Sequence, residues 1–422
     1  MDSLIIEGPS KLSGIVDVSG SKNSALPLLF ASILFDEKVT YENIPRLWDI
    51  ESTLSLLRIM GCATEWDKEL GRVSIFPTIT KKEAPYELVK KMRAGILALG
   101  PLVAKYGEAK VSLPGGCAIG ARPVNYHIEA LRKMGVTVEV EEGYIHATVK
   151  NKLVGAEIFF PEVTVTGTEN LLYVAVMAEG TTLLQNAACE PEVVALGEFL
   201  KSCGAKISGL GTQTVTIQGS KLKSPVKPIA IPPDRIEAGT WISISLATRC
   251  PLELNHCDSS QMTSVLSAFR QMGAKIEELN QGTILKITPA DKYLPLHIET
   301  APYPGFPTDM QAQILTLLCL AEGRSTVVES IFENRFMHVA ELQRLGAKIE
   351  VNGNIASIEG PVKFQGAPIM ATDLRASACL VLAGLISKGT TRVSRIYHLD
   401  RGYQRLDEKL RRLGAKITRV AE

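Results

Sequence analysis

The sequence predicts an α/β protein of two domains, each built from three similar repeats in the order strand, buried helix, strand, surface helix, strand, strand. Three observations carry this. A glycine-centred motif recurs six times at intervals of about 70 residues. Helical segments alternate between apolar on nearly every face and charged along one face. The sixth copy stops short, and the N-terminus carries a stretch resembling the piece it lacks.

The motif reads LRIMGCAT from Leu57, LRKMGVTV from Leu131, LKSCGAKI from Leu200, FRQMGAKI from Phe269, LQRLGAKI from Leu342 and LRRLGAKI from Leu410. Each copy reads as a helix stopped by glycine and turned into a strand. Upstream of each copy lies a more apolar segment: SALPLLFASILF, AGILALGPLVA, ENLLYVAVMA, TWISISLA, AQILTLLCLA and ASACLVLAGLI. Helices of that kind are buried all round, whereas those such as ELQRLGAK carry charges that face water.

After GAKITRV the sixth copy ends, where others add a strand such as VTIQG from Val215 or ASIEG from Ala356. LIIEG from Leu4 matches both, and KLSGIVDVSGSKNSA from Lys11 resembles KFQGAPIMATDLRAS from Lys363. The first ~20 residues are therefore expected to complete the last repeat. One domain is expected over residues 22–232, and the other over 1–21 plus 233–422. The chain then crosses twice, near Gly20 and near Pro232-Pro233, as a two-stranded hinge suited to closing on a ligand.

At 422 residues the chain has ample core for two domains, and a net charge of +1 gives no electrostatic case for nucleic acid or an anionic membrane surface. The N-terminus lacks the basic and apolar regions of a signal peptide, and no apolar run is long enough to span a bilayer. The eight cysteines form no CxxC pair. They read as reduced thiols in a cytoplasm. The histidines lack zinc-helix spacing, and no GxxxxGK[ST] phosphate loop occurs, so no metal and no Walker-type nucleotide site is expected.

Chemistry gathers in two classes of loop. One leads into the buried helices: SGSKNSA (Lys22, Asn23), KKMRAG (Arg93), TVTGTEN, PPDRIEAG (Asp234, Arg235), PGFPTDMQAQ (Asp309) and ATDLRASA (Asp373, Arg375). The other follows the second strand: PGGCAIGARP (Cys117, Arg122), SIFENRFMH (Arg335, His338) and RIYHLDRGYQR (Asp400, Arg401). Helix N-termini favour anions through free N–H groups and partial positive charge. Lys22, Arg93, Arg122, Arg335, Arg375 and Arg401 could form an anion cage; each could equally pair with a nearby carboxylate. Asp309, between a proline and a buried helix, suits either an N-cap or a general base. Cys117 sits beside two glycines, and Arg122 supplies a cation that would favour its thiolate.

At SGSKNSALP, SLPGGCAIGARPV, FPTDMQAQ, FENRFMHVAEL, ATDLRASA and IYHLDRGY the chain resembles the UDP-N-acetylglucosamine enolpyruvyl transferase family from first strand to last helix. The resemblance implies two inside-out α/β barrels of three βαβαββ repeats each. It implies transfer of the enolpyruvyl group of phosphoenolpyruvate to the 3'-hydroxyl of UDP-N-acetylglucosamine with release of phosphate, and no cofactor. It makes Cys117 the proton donor to the methylene carbon and Asp309 the base near the sugar hydroxyl. Lys22, Arg122 and Arg401 match cations that hold phosphoenolpyruvate, with Asn23 a polar contact. Arg93, Arg122, Pro123, Val124, Asn125, Tyr126, Thr164, Val165, Asp309 and Ile331 match nucleotide-sugar contacts. Arg335, Asp373 and Arg375 match charged residues of the cleft. Glu162 and Asn125 depart from a lysine and an aspartate found in other members. The alternatives are enolpyruvyl transfer to another acceptor such as shikimate 3-phosphate, a non-catalytic nucleotide-sugar binder, and a cysteine hydrolase using Cys117.

Overall fold

The computed structural model describes residues 2–90, 92–114 and 124–421. They form two compact lobes, one from residues between 20 and 232 and one from 2–19 with 233–421. The described strands fall into six four-stranded sheets of one recurring order. In one, His297–Glu299 runs parallel to Gly323–Val328, which pairs antiparallel with Ile355–Gly360, which in turn pairs antiparallel with Lys348–Asn352. The parallel pair is bridged by the buried helix Gln311–Leu318, and the surface helix His338–Arg344 precedes the closing hairpin. This is the βαβαββ repeat read from the sequence.

The glycine motif has a simple physical cause. Gly61, Gly135, Gly204, Gly273, Gly346 and Gly414 all have φ between 90° and 112°, where a side chain is strained. A Cβ at Gly346 would meet nothing closer than 3.8 Å, so the demand there is conformational and not steric. Gly346→Ala is therefore expected to cost ~1–3 kcal/mol in a denaturant titration. A change below a few tenths would mean the turn relaxes freely.

The last repeat is completed as expected only in part. Asp2–Gly8 pairs antiparallel with both Gly389–Ser394 and Lys416–Ala421, placing Leu4 and Ile6 in the core. Ile15–Asp17 does not belong to that sheet. It runs parallel to Leu252–Asn255 and so opens the repeat whose buried helix is Arg235–Thr248. The strand that precedes this helix in sequence, Ile229–Ala230, instead pairs parallel with Val39–Glu42 in the other lobe. Each crossing thus exchanges the opening strand of a repeat. Ser21 N–H donates to Pro232 O at 2.8 Å in one lobe, and Asp234 N–H to Ser19 O at 2.9 Å in the other.

Each lobe has its own core around three wholly or largely buried helices. In the C-terminal lobe these are Arg235–Thr248, Gln311–Leu318 and Leu374–Ile386. They tolerate serine and threonine because the hydroxyls donate back to the preceding turn. Thr240 bonds Ile236 O at 2.8 Å, Thr316 bonds Ala312 O at 2.9 Å, and Ser377 bonds Asp373 O at 2.6 Å. In the other lobe, Lys22–Ala31 and Val165–Ala175 are joined by a segment that is 3-10 over Arg93–Ala98 and α-helical over Leu99–Tyr106. The sequence segment AGILALGPLVA was expected as one helix. The observed change of pitch falls where glycine and proline interrupt it, at Gly95, Gly100 and Pro101.

Candidate active site

In the C-terminal lobe the loop entering Leu374–Ile386 and the loop after Gly323–Val328 each place an arginine on one carboxylate. Asp309 lies in the 3-10 turn Thr308–Met310 that leads into Gln311–Leu318. Its Oδ1 accepts from Arg335 Nη2 at 2.8 Å. Its Oδ2 accepts from Arg375 Nη2 at 2.9 Å and Nε at 3.1 Å, a bidentate grip. The arginine side chains are 5% and 4% exposed, against 27% for Asp309. The base candidate is thus the solvent-facing member of a buried ion triad. Two guanidiniums fix its orientation.

The arginines are held in turn. Arg375 packs its guanidinium 5.4 Å from the centre of the Tyr403 ring, and Arg335 packs 5.2 Å from that of Phe332. Burial alone would pull the Arg375 pKa down, but the charge of Asp309, with Tyr403 and Asp234 adding to it, holds it above its ordinary value. Asp373 caps the helix Leu374–Ile386, accepting from Arg375 N at 2.9 Å and Ala376 N at 3.0 Å. Asp234 caps Arg235–Thr248 in the same way. Ile331 lies in the loop after Gly323–Val328, partly buried. Arg401 ends the 3-10 turn Ile396–Arg401 and is partly exposed. The neighbouring Asp400 pairs with Arg419 at 2.8 Å.

In the other lobe Lys22 is the first residue of its helix, which Ser21 caps by accepting from Ser24 N at 3.2 Å. Lys22 Nζ lies 3.5 Å from Asp49 Oδ2, and Asp49 is 5% exposed by side chain. Asn23 follows, partly buried. Thr164 caps Val165–Ala175 by accepting from Gly167 N at 3.2 Å. Arg93 opens its 3-10 turn, and Asn125 and Tyr126 open the helix Asn125–Lys133 directly after Val124. Glu162 is exposed. Cys117, Arg122 and Pro123 lie outside the described residues.

Asn170 ties three of these segments together. Its Oδ1 accepts from Gly100 N at 2.8 Å, and its Nδ2 donates to Ile96 O at 3.1 Å and to His127 Nδ1 at 3.0 Å. His127 therefore carries its proton on Nε2, which faces Thr166 Oγ1 at 3.4 Å. Burial, aided by the charge of Arg93, pushes its pKa down to about 3. His338 is pushed down to about 4, chiefly by burial, with Asp373 opposing and Arg335 assisting. Both imidazoles stay neutral while their unfolded counterparts charge below about 6.5. Native stability from this source is complete above pH 6.5 and is lost as pH falls toward the folded values. The expected loss is about 2 kcal/mol per histidine between pH 7 and 5. Urea titrations at both pH values check this, and His127→Gln with His338→Gln is expected to flatten the slope.

The sequence reading did not single out Asp49, Asn170, Glu329 or Tyr403. Burial and pairing reveal them; Asn170 and Tyr403 lie within TVTGTEN and IYHLDRGY, but nothing in those motifs signals their partners. Among the described residues, no cluster of His, Cys, Asp and Glu is placed to hold a metal ion. No helix among them is long and apolar enough to cross a membrane.

Comparison with known proteins adds to this geometry. A family model described as EPSP synthase (3-phosphoshikimate 1-carboxyvinyltransferase) matches residues 6–410. A UDP-N-acetylglucosamine 1-carboxyvinyltransferase of Nitratidesulfovibrio vulgaris is 54% identical over 422 residues, covering all of both chains. One from Hydrogenovibrio crunogenus is 52% identical over 420 residues, again covering all of both. Among solved structures, the enolpyruvyl transferase NikO from Streptomyces tendae superposes with a TM-score of 0.89 at 25% identity, covering 100% of this chain and 99% of that one. An EPSP synthase from Acinetobacter baumannii shares the fold, with a TM-score of 0.77 at 19% identity over all of both chains.

Proposed function

The chain belongs to the EPSP synthase family and, within it, to the UDP-N-acetylglucosamine 1-carboxyvinyltransferases, and from that premise we infer that it transfers the enolpyruvyl group of phosphoenolpyruvate to the 3'-hydroxyl of UDP-N-acetylglucosamine. Phosphate is released. The reaction is the first committed step of peptidoglycan precursor synthesis. The observation that carries this reading is identity above half, without truncation, to transferases of that name.

The chemistry assigns roles as follows. In the addition step Cys117 gives a proton to the methylene carbon of phosphoenolpyruvate. The sugar oxygen bonds to its neighbour, and Asp309 takes the hydroxyl proton. In the elimination step the Cys117 thiolate takes a proton back from the new methyl group, the carbon–oxygen bond to phosphate breaks, the vinyl ether forms, and the proton held by Asp309 leaves with the phosphate or to solvent. Neither step changes an oxidation state. Lys22, Arg122 and Arg401, with Asn23, hold the phosphate and carboxylate of phosphoenolpyruvate. Preorganised cations are worth most where charge develops, by analogy with oxyanion donors about 3–4 kcal/mol each. Arg93, Arg122, Pro123, Val124, Asn125, Tyr126, Thr164, Val165 and Ile331 contact the nucleotide sugar. Arg335, Arg375 and the helix cap Asp373 organise the base. The arginine grip on Asp309 and the helix-start positions of Lys22, Arg93 and Thr164 support this assignment. We place the enzyme in the cytoplasm, where both substrates are made.

A coupled phosphate-release assay run with UDP-N-acetylglucosamine and with shikimate 3-phosphate tests the reading. Release with the nucleotide sugar alone is expected; release only with the other acceptor would overturn it. Lys22→Ala and Arg401→Ala are each expected to raise KM for phosphoenolpyruvate at least about tenfold, the loss of one charge-assisted hydrogen bond. Unchanged KM and kcat in both would remove them from the site.

A further inference from the structure

Glu329 is 2% exposed, and no described ion pair satisfies it. Four groups donate to it instead. Thr300 Oγ1 lies 3.0 Å from its Oε1, Ile331 N 3.0 Å and Phe332 N 3.1 Å. Thr308 Oγ1 lies 3.0 Å from Oε1 and 2.9 Å from Oε2. A buried carboxylate with this many donors is a fixed point of the local structure. Two chain segments hang from it. One is the loop Ser330–Phe332, whose backbone is held through Ile331 and Phe332. The other is the turn that carries Asp309.

The connection to Asp309 is directional. The Thr308 hydroxyl has one proton, which it gives to Glu329. Its oxygen can therefore accept, and it does so from Arg335 Nη1 at 3.1 Å. The same guanidinium donates through Nη2 to Asp309 Oδ1 at 2.8 Å. Glu329 thus sets the hydroxyl, the hydroxyl sets the guanidinium, and the guanidinium sets the carboxylate. We propose that Glu329 is a positioning residue that holds the acceptor-binding loop at Ile331 and the base Asp309 in one register, with Thr308 as the relay to the base alone. The functional half of this inference rests on the function proposed above.

Removing different parts of the hub has different consequences. A glutamine could keep its carbonyl at the Oε1 position, where both backbone N–H groups donate, so it need not disturb the loop. Glu329→Leu offers no acceptor to the Thr308 hydroxyl or to the two backbone N–H groups, and so disturbs loop and base together. Thr308→Val breaks only the relay to Arg335, and Thr308→Ser restores it. A misplacement of about 1 Å at a reacting group costs up to ~100-fold in rate, so a loss of about tenfold is a moderate expectation. Glu329→Leu is expected to lower kcat and raise KM for UDP-N-acetylglucosamine, each by roughly that tenfold. Thr308→Val is expected to lower kcat by a similar factor with KM nearly unchanged, and Thr308→Ser to behave as wild type.

Steady-state kinetics of the three full-length variants and the wild type test the split, alongside amide hydrogen exchange at Ile331 and Phe332. Exchange is expected to quicken in Glu329→Leu and to stay slow in Thr308→Val. Unchanged kinetics in Glu329→Leu, or equal losses in Thr308→Val and Thr308→Ser, would overturn the assignment. Unchanged exchange in Glu329→Leu would overturn the anchoring itself. If the wild type released no phosphate with UDP-N-acetylglucosamine while exchange followed the expected pattern, the proposed function would fall and the anchoring would stand.

Discussion

Asp309→Asn is expected to lower kcat by about two to four orders of magnitude, the range for losing a positioned general base. The substitution preserves shape and removes both the proposed proton acceptor and the countercharge of two arginines. Arg335 and Arg375 are then left as nearly unexposed guanidiniums facing an amide, which is expected to cost roughly 3–5 kcal/mol of stability as well. The two effects separate experimentally. kcat is measured well below the melting temperature. Protection of Cys117 from alkylation when phosphoenolpyruvate is present shows that this substrate still binds. A variant within tenfold of wild-type kcat would remove Asp309 from the proton-transfer step.

Cys117→Ser is expected to abolish inactivation by an epoxide phosphonate such as fosfomycin, whereas Cys117→Asp is expected to keep measurable turnover. A carboxylic acid can deliver the proton proposed for the thiol, but neither variant offers a sulfur to open the epoxide. Labelling should be selective because the seven described cysteines are all buried. Burial pushes the thiols of Cys257 and Cys319 up to about 12 and that of Cys62 to about 11, leaving little thiolate near neutral pH. Peptide mapping of the labelled protein checks this. Equal labelling of several cysteines, or complete inactivity of Cys117→Asp, would count against the proton-donor role.

Local constraints were legible in the sequence, and partnerships were not. The six turn glycines could be read because each is required by its own backbone angle, and the requirement recurs with every repeat. The buried helices could be read because packing on all sides excludes charge from most of their length. The lobe of Ile15–Asp17 and of Ile229–Ala230 follows the expected boundaries, but the repeat each strand opens could not be read. Both strands precede a helix start of the same kind, and only pairing distinguishes their sheets. The candidate site divides the same way. Asp309 and Arg375 announce themselves beside helix starts, but their grip on each other spans 66 residues of chain. Glu329 is one carboxylate among 45 acidic residues, and nothing beside it signals the four donors it gathers. Asp49 was missed for the same reason, since its link to Lys22 exists only in the folded lobe.

The most direct test of the addition–elimination account is the isotopic composition of the product made in deuterium oxide. A deuteron is added to the methylene carbon to form a methyl group, and one of its three hydrogens is then removed. Purified product is therefore expected to be the 3'-vinyl ether of UDP-N-acetylglucosamine carrying deuterium in its methylene group, seen by proton NMR and mass spectrometry. A vinyl ether with a fully protiated methylene group would contradict that route.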